Sequence, residues 1–294
     1  MIKIKSRFPG FYPYLLGLLF LSIIGVQLKA QEKTLNSDAL KKAEEIINLA
    51  RKATKGKNSS LKVTGLSAVF SSTSQHVFIK DNKEPDTVET SGEIKFDVSI
   101  ADKVKFSLVE EFPDNTSFYN FVLNGDNFDS DSYIIFKGMR SNVVEKLTDE
   151  QKKQKVLEVK KRNFVWMFPL ILESPSNASV EFKYIGKAEA NGEKADVLET
   201  IMPDESRLRL FFDEKSHLLK MFINTGKTRL GAEYEEKRFF SDYKEKDGFL
   251  IANKMIIETI FLNKWGKAKD ISQMTLKSIK FNPSFNPSYF VVKN

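Results

Sequence analysis

The chain has 294 residues, with 25 phenylalanines, two histidines and no cysteine. The absence of cysteine excludes disulfides, thiolate nucleophiles, cysteine-ligated zinc and iron–sulfur clusters, and two histidines cannot form a histidine-rich metal centre. The formal net charge of +7 suggests an acidic partner, either nucleic acid or an anionic membrane. The position of the charges along the chain decides how much weight that suggestion carries.

Residues 1–30 have the pattern of a secretory signal peptide. Basic residues precede an apolar run at 11–26, and a polar stretch follows Ala30. The run is shorter than the roughly 20 residues that span a bilayer comfortably. We therefore expect cleavage near Ala30, with a retained membrane anchor as the alternative.

This segment also accounts for much of the positive charge. It contains no acidic residue and four basic ones, which are Lys3, Lys5, Arg7 and Lys29. Removing these four from the 46 Lys and Arg leaves 42 against 39 Asp and Glu, a formal charge of +3. The case for an acidic partner weakens accordingly. An exported chain without cysteine is typical of the bacterial periplasm or cell envelope.

A helix is predicted at 36–56, because Leu40, Ala43, Ile46, Ile47 and Ala50 recur at spacings of three and four. Period-two alternation follows and predicts two series of strands separated by turn residues. The first series is 61–70, 76–80, 87–100, 103–110, 117–123 and 132–138. The second is 180–185, 195–201, 207–213, 217–224, 234–243, 254–262 and 271–281. Strands without intervening helices indicate a largely antiparallel sheet or open barrel.

A second helix, at 148–172, interrupts the two series. Thr148 and Gln151 have the spacing of a capping box. We expect Pro169 to end or kink this helix near Phe168. The apolar end of the segment is either core or a lid over the sheet. Residues 31–294 contain no linker-like stretch, so a single domain is expected.

The motifs of catalysis and cofactor binding are missing. His76 and His217 have no ligand or carboxylate at helical spacing, and no phosphate-binding loop or nucleophile elbow occurs. The turn containing Asp126, Asp129 and Asp131 lacks the acid that an EF-hand needs at position twelve. The basic stretch at 152–162 is interpreted as a solvated helix face, not a nucleic-acid site. We therefore predict a protein without enzymatic activity, cofactor or metal.

The strands do contain apolar faces. Leu208, Leu210 and Phe212 alternate along one strand, and Leu219, Met221 and Ile223 along the next. Phe182 and Tyr184 share a side in the same way, as do Phe239 and Tyr243. Long strands with only two helices leave much sheet surface to cover, either by the protein's own side chains or by an apolar ligand.

The order of elements resembles the outer-membrane lipoprotein carrier (LolA-like) superfamily. The likeness is clearest at 180–260, in Tyr184-Ile185-Gly186, Asn191-Gly192, Leu210-Phe211-Phe212-Asp213, His217-Leu218, Asp242-Tyr243 and Asp247-Gly248-Phe249. The resemblance implies an α+β, mainly β fold: a curved antiparallel sheet forming an unclosed barrel, with the N-terminal and inserted helices covering the concave face. It also implies an apolar cavity for acyl chains, plugged by residues 148–172 with Trp166 and Phe168 facing inward.

The leading hypothesis is thus an exported envelope protein that holds a lipid or an acylated protein chain, as a non-catalytic carrier or sensor. The residues expected to line the cavity or plug are Trp166, Phe168, Phe182, Tyr184, Leu208, Leu210, Phe212, Leu219, Met221, Ile223 and Phe239. The alternatives are a structural or interaction module whose sheet core is filled by its own side chains, and an envelope hydrolase with a site assembled from scattered residues. An envelope membrane is a possible partner in the leading hypothesis.

Overall fold

The computed structural model describes residues 37–56, 62–79, 85–99, 103–142, 147–172, 180–202, 205–228, 231–263 and 266–292. The predicted signal segment lies outside these residues. The first helix, α1, spans 37–55, and its predicted apolar side is the buried one. Ala43, Ile46, Ile47 and Ala50 all belong to the main core, because residues three and four apart share a face of a helix.

Thirteen strands in the described part of the chain form one antiparallel sheet. They are β1 (Gly65–Ile79), β2 (Asp86–Ser99), β3 (Lys103–Glu111), β4 (Asn115–Asn124), β5 (Asn127–Phe136), β6 (Met139–Asn142), β7 (Lys183–Ala190), β8 (Glu193–Ile201), β9 (Arg207–Asp213), β10 (Leu219–Lys227), β11 (Glu233–Lys246), β12 (Phe249–Asn263) and β13 (Gly266–Phe281). Their order is β6-β5-β4-β3-β2-β1-β13-β12-β11-β10-β9-β8-β7. β6 and β7 are the two edges, so the sheet is not closed.

This architecture confirms the predicted fold class, although several strands have other bounds than predicted. β5 begins at Asn127, so Asp129 and Asp131 lie in a strand and only Asp126 lies in the predicted turn. The predicted segments 61–70 and 76–80 are parts of the single strand β1, which continues through the polar residues 71–75. The short edge strand β6 was not predicted, since Met139–Asn142 is too brief to show alternation. A bulge between Val69 and Phe70 marks where β1 changes its register with β13.

The sheet curves strongly enough to bring distant strands to neighbouring residues of one helix. Lys160 pairs with Asp126 in the β4–β5 turn at 2.8 Å. The next residue, Lys161, donates to the hydroxyl of Tyr234 in β11 at 3.3 Å. Five strands lie between β4 and β11 in the sheet order. The two contacts therefore require a curled sheet, as expected for an unclosed barrel.

The second helix, α2 (Asp149–Ile171), starts at the predicted capping box. The Thr148 side chain accepts from the Gln151 N–H at 3.3 Å, and the Gln151 side chain accepts from the Thr148 N–H at 2.8 Å. Of the two outcomes expected at Pro169, an end of the helix near Phe168 is ruled out, because the helix continues to Ile171. Leu172 then caps it in the left-handed conformation, with its N–H donated to the Phe168 carbonyl at 2.7 Å.

The main core lies on the concave face of the sheet, which we define as the face that contacts α1 and α2. A second, smaller cluster lies on the opposite face and contains Ala190, Ala195, Val197, Phe211 and Met221. Alternation along β8 and β9 explains this division, since neighbouring residues of a strand point to opposite faces. The convex side of β8–β10 thus has a small core of its own.

Two irregularities correct the predicted apolar faces. Leu219 lies in the main core, whereas Met221 and Ile223 belong to the opposite cluster. The reason is a register shift between Leu219 and Met221 in the β9–β10 pairing, which reverses the alternation. Phe239 and Tyr243 also lie on different faces, with Phe239 on the opposite face and Tyr243 on the core, although the β11–β12 register is the same on both sides of Asp242. Asp242, between them, has a positive φ of 54°.

We predict that Thr148→Ala destabilises α2 against the sheet by about 1 kcal/mol, since it leaves the Gln151 N–H without its side-chain acceptor. The free energy of unfolding in urea measures the effect. Gln151→Glu is the matched control, because glutamate at this position preserves both bonds of the capping box. Equal stability of Thr148→Ala and the wild type would contradict the role of the cap.

Candidate functional site

The predicted lining residues divide between the two faces of the sheet. Six of them are fully buried on the concave face, namely Phe168, Phe182, Leu208, Leu210, Phe212 and Leu219. Trp166 and Tyr184 are half-buried and pack against this core. Met221, Ile223 and Phe239 lie on the opposite face and therefore cannot line the same surface. Phe168 in α2 stacks between Phe164 of the same helix and Phe182, the residue before β7, with ring centroids 5.1 and 5.2 Å apart.

The sequence analysis missed a second part of the concave face, where apolar side chains are only half-buried. These residues are Leu108 in β3, Tyr119 in β4, Phe128 in β5 and Ile257 in β12. They surround the region that the helices cover incompletely. Their alternation in the sequence placed them on strand faces, but only the curvature of the sheet determines which face is concave.

Polar side chains replace apolar ones further along the same face. In β1, Phe70 is followed on the concave side by Ser72, Ser74 and His76. In β3, Glu110 follows Leu108, and in β12, Thr259 follows Ile257. In β13, which runs in the opposite direction, Ser272 and Asp270 precede Met274 in the sequence and lie beside these polar residues. Residues two apart share a face of a strand. The concave face is therefore amphipathic along the strand direction.

The strand pairings align these polar residues into one row. His76 pairs with Asp270, Asp270 with Thr259, Thr259 with Glu236, and Glu236 with Asn224. The row continues through Leu208 to Thr200. We call this set the polar row: His76, Asp270, Thr259, Glu236, Asn224 and Thr200. It crosses the concave face beside the half-buried apolar region.

His76 is the centre of a hydrogen-bonded cluster in this row. Its Nδ1 lies 3.0 Å from Asp270 Oδ1, and its Nε2 lies 3.3 Å from Glu110 Oε1 and 3.4 Å from the Thr90 hydroxyl. The ring of Phe112 stacks on the imidazole. Histidine between a hydroxyl and a carboxylate is an arrangement that nucleophilic catalysis can use.

The geometry argues against a nucleophile at Thr90. The Thr90 hydroxyl donates to Glu110 Oε1 at 2.9 Å, closer than its contact with His76. Thr90 is also only 6% exposed. A nucleophilic hydroxyl has to donate its proton to the base and reach the substrate. The cluster thus serves as a polar part of the concave face.

Arg238 in β11 holds α2 on the sheet through a backbone carbonyl. Pro169 has no N–H, so the carbonyl of Val165, four residues earlier, lacks its intrahelical donor. Arg238 Nη1 donates to that carbonyl at 3.2 Å. The arginine is only 3% exposed. The sequence contains the proline as a signal, but not the identity of the distant donor.

The Arg238 guanidinium is paired on its other sides as well. Its Nε and Nη2 both lie 2.7 Å from Glu236 Oε1, and its centre lies 4.5 Å from the Trp166 ring and 5.3 Å from the Phe222 ring. A buried charge needs such partners because desolvation alone is costly. The contact connects α2, through Trp166, to the polar row, through Glu236.

The C-terminal end of α2 has a second attachment, to α1. Arg51 Nε donates to the carbonyl of Leu172 at 2.8 Å. A helix end leaves its last carbonyls without intrahelical donors, so this bond satisfies one of them. Together with Lys161 and Arg238, it fixes the helix at three points along its second half.

Two tyrosine hydroxyls on the concave face form hydrogen bonds with the neighbouring strand. Burial raises the pKa of Tyr243, whose hydroxyl donates to the Leu219 carbonyl. The pKa of Tyr184 is also raised, by burial and then by the charge of Asp196, which accepts its hydroxyl at 3.3 Å. A raised phenol pKa stabilises the folded state below the ordinary value of about 10 and loses that effect as pH rises above it. Both tyrosines are therefore neutral in the folded protein.

Two further properties concern the described residues alone. None of their helices is both long enough and apolar enough to cross a bilayer. Their His, Asp and Glu side chains form no group of three that could hold a metal ion.

Three solved structures resemble this fold at low sequence identity. One is a putative outer membrane lipoprotein-sorting protein domain of Vibrio parahaemolyticus, with 14% identity over 87% of this chain and 97% of that one, at a TM-score of 0.43. Another is a LolA superfamily protein of Nitrosomonas europaea, with 9% identity over 85% and 97% at the same score. A DUF1329 family protein of Desulfovibrio piger has 12% identity over 84% and 96%, also at 0.43. The similarity concerns overall architecture. The sequence matches no protein-family model and no curated protein.

We predict that Arg238→Met lowers the free energy of unfolding by about 1–3 kcal/mol, because it leaves the Val165 carbonyl without its donor and removes the cation that pairs with the half-buried Glu236. Pro169→Ala supplies the missing N–H within the helix. It should therefore restore much more stability in the Arg238→Met background than it adds to the wild type. Urea denaturation of the four proteins measures this coupling. Equal effects of Pro169→Ala in both backgrounds would show that Arg238 is not the partner of that carbonyl.

Proposed function

We propose that this protein is exported to the bacterial cell envelope, after removal of residues near 1–30, and there binds an amphiphile that has an acyl chain. The chain lies on the half-buried apolar part of the concave face, and the polar end of the amphiphile contacts the polar row. Binding is non-catalytic, as in a carrier or a sensor of envelope lipids.

The observation that carries this proposal is the amphipathic concave face. The apolar side chains Leu108, Tyr119, Phe128 and Ile257 are half-buried and pack against the edge of the main core. Polar side chains lie two residues further along the same faces of β3 and β12, where Glu110 follows Leu108 and Thr259, a member of the polar row, follows Ile257. An acyl chain with a polar end is complementary to an apolar region that lies beside a polar one. A wholly polar substrate would leave the apolar region uncovered.

Hydrophobic burial supplies enough free energy for such binding. Each buried methylene contributes about 0.8 kcal/mol, so a chain of ordinary lipid length compensates the loss of translational freedom and of side-chain motion. No covalent step is required.

The competing function is that of an interaction module whose core is filled by its own side chains. The full burial of Leu208, Leu210 and Phe212 fits that account for the β8–β10 part of the sheet. The half-exposed residues of β3, β4, β5 and β12 favour a ligand in the remaining part. The two functions therefore differ in what covers these four strands.

Trp166 provides a local reporter for ligand binding. The chain has two tryptophans, at 166 and 265, so Trp265→Phe leaves Trp166 as the single emitter. We expect a long-chain fatty acid, titrated below its micelle concentration, to shift the emission of Trp166 to shorter wavelength. Its brominated analogue should quench the emission. A short-chain acid such as butanoate should have neither effect, since it buries too few methylenes.

A pair of matched variants locates the bound chain. Ile257→Asp places a charge on the concave face, and Ile223→Asp places one at an equally half-buried position on the opposite face. We expect the first to weaken fatty-acid binding by at least about tenfold, since a chain cannot bury a carboxylate, and the second to leave it unchanged. Equal affinity of both variants and the wild type would remove the concave face as the site. Circular dichroism verifies that both variants are folded.

A further inference from the structure

The β5–β6 hairpin presents large apolar side chains to solvent at its turn. Phe136 and Met139, which flank the turn, are 44% and 68% exposed. Lys137 and Gly138 form the turn, with positive φ values of 49° and 76°. Two successive residues with positive φ are typical of the tight turn that closes a two-residue hairpin. The hairpin therefore projects its two apolar side chains from a short, well-defined tip.

The two basic side chains of this hairpin lie at its turn and just after it, whereas its two acidic residues, Asp129 and Asp131, lie further back in β5. Residues 132–142 contain Lys137 and Arg140 and no acidic residue. Lys137 Nζ lies 5.3 Å from the Phe136 ring centre, and the Arg140 guanidinium lies 3.7 Å from that of Tyr133. Arg140 also approaches Asp131 at 3.7 Å, but both side chains are exposed, so the pair is screened and weak. Aromatic and aliphatic side chains thus alternate with cations at the tip.

Other exposed apolar side chains lie at the same end of the sheet. β1 ends there with Phe78 and Ile79, and β12 with Leu262, and all three are exposed. Ile79 pairs with Lys267, which pairs in turn with Leu262, so these strand ends are neighbours. β5 and β1 run in the same direction, because each intervening strand pairs antiparallel with the next.

We propose that this end of the sheet docks on an anionic lipid bilayer, with the β5–β6 hairpin as its main contact. Phe136 and Met139 enter the interface, and Lys137 and Arg140 contact the acidic headgroups. The side chains protrude singly, which suits a fluid interface better than the fixed pocket of a protein partner. Each basic side chain near an anionic surface strengthens binding about fivefold.

This proposal is independent of amphiphile binding on the concave face. A protein that holds an acyl chain need not touch a bilayer, and a protein that touches a bilayer need not hold one. The experiments separate the two, because free fatty acid tests the concave face and the bilayer surface tests the hairpin. Failure of either leaves the other standing.

The absence of cysteine allows a local test. Met139→Cys introduces a unique thiol at the hairpin, which can be labelled with an environment-sensitive fluorophore. Val291→Cys is the matched control, since Val291 is also exposed, at 56%, and follows β13 at the opposite end of the sheet. Vesicles of phosphatidylcholine with roughly a quarter phosphatidylglycerol serve as the bilayer, with nitroxide groups on their acyl chains.

We expect the nitroxides to quench the label at 139 and to leave the label at 291 unchanged. Because both labels report locally, attachment through any other part of the full-length chain does not mimic this result. Absence of quenching at 139, or equal quenching at both positions, would overturn the proposal. A shift of the label at 139 that depends on protein concentration without vesicles would indicate a second copy of the chain as the partner and would overturn it as well.

Variants at the hairpin complete the test. Lys137→Glu with Arg140→Glu should reduce quenching of the Met139→Cys label on the anionic vesicles by roughly tenfold or more at equal lipid. The labelled Met139→Cys protein that keeps Lys137 and Arg140 should bind vesicles of pure phosphatidylcholine more weakly than the anionic vesicles, by a similar factor. Equal quenching on both kinds of vesicle would refute the electrostatic part of the proposal. Phe136→Ser should also lower it, since it removes apolar area from the interface.

Discussion

The position of α2 depends on one carbonyl group that its own helix cannot satisfy. Pro169 removes the N–H that would bond to Val165, and a buried arginine from the sheet donates instead. The guanidinium is in turn paired with Glu236 and stacked on Trp166. A proline that would weaken an isolated helix therefore makes this helix specific for one place on the sheet. It also makes the helix depend on β11, because the carbonyl and the arginine are both costly to leave unpaired.

The curvature of the sheet then determines what α2 covers. Phe168 of the helix stacks on Phe182, just before β7, and the core residues of β8–β10 are fully buried, whereas Leu108 in β3, Tyr119 in β4, Phe128 in β5 and Ile257 in β12 are only half-buried. On these strands an apolar region is followed by the polar row. The same antiparallel pairing that aligns the polar row also places the strand ends with exposed apolar side chains at one end of the sheet. The proposed amphiphile binding and the proposed membrane docking thus rest on two parts of a single surface pattern.

The sequence predicted the elements that depend on local patterns. The capping box at Thr148, the apolar side of α1 and most strands follow from side-chain spacing, and the antiparallel fold class follows from their succession. Two features required knowledge of distant residues. The bulge between Leu219 and Met221 reverses a face that strict alternation assigned to one side. Pro169 remains inside α2 only because Arg238, 69 positions away in the sequence, satisfies Val165.

For the same reason, the sequence predicted only part of the candidate site. Leu208, Leu210 and Phe212 do share a face, but they are fully buried, and Met221, Ile223 and Phe239 lie on the other side of the sheet. The half-exposed residues Leu108, Phe128 and Ile257 have the same alternation as the core strands. Only the extent of α2 distinguishes a covered strand from an uncovered one, and periodicity contains no information on that extent.

The most direct measurement is native mass spectrometry of the protein isolated from the envelope of its own host, followed by extraction and identification of any bound lipid. Amphiphile binding on the concave face predicts a folded species with one acyl-chain amphiphile per protein, removed by extraction, and strongly reduced in Ile257→Asp but retained in Ile223→Asp. A folded protein that carries no amphiphile in any of these preparations would contradict the account.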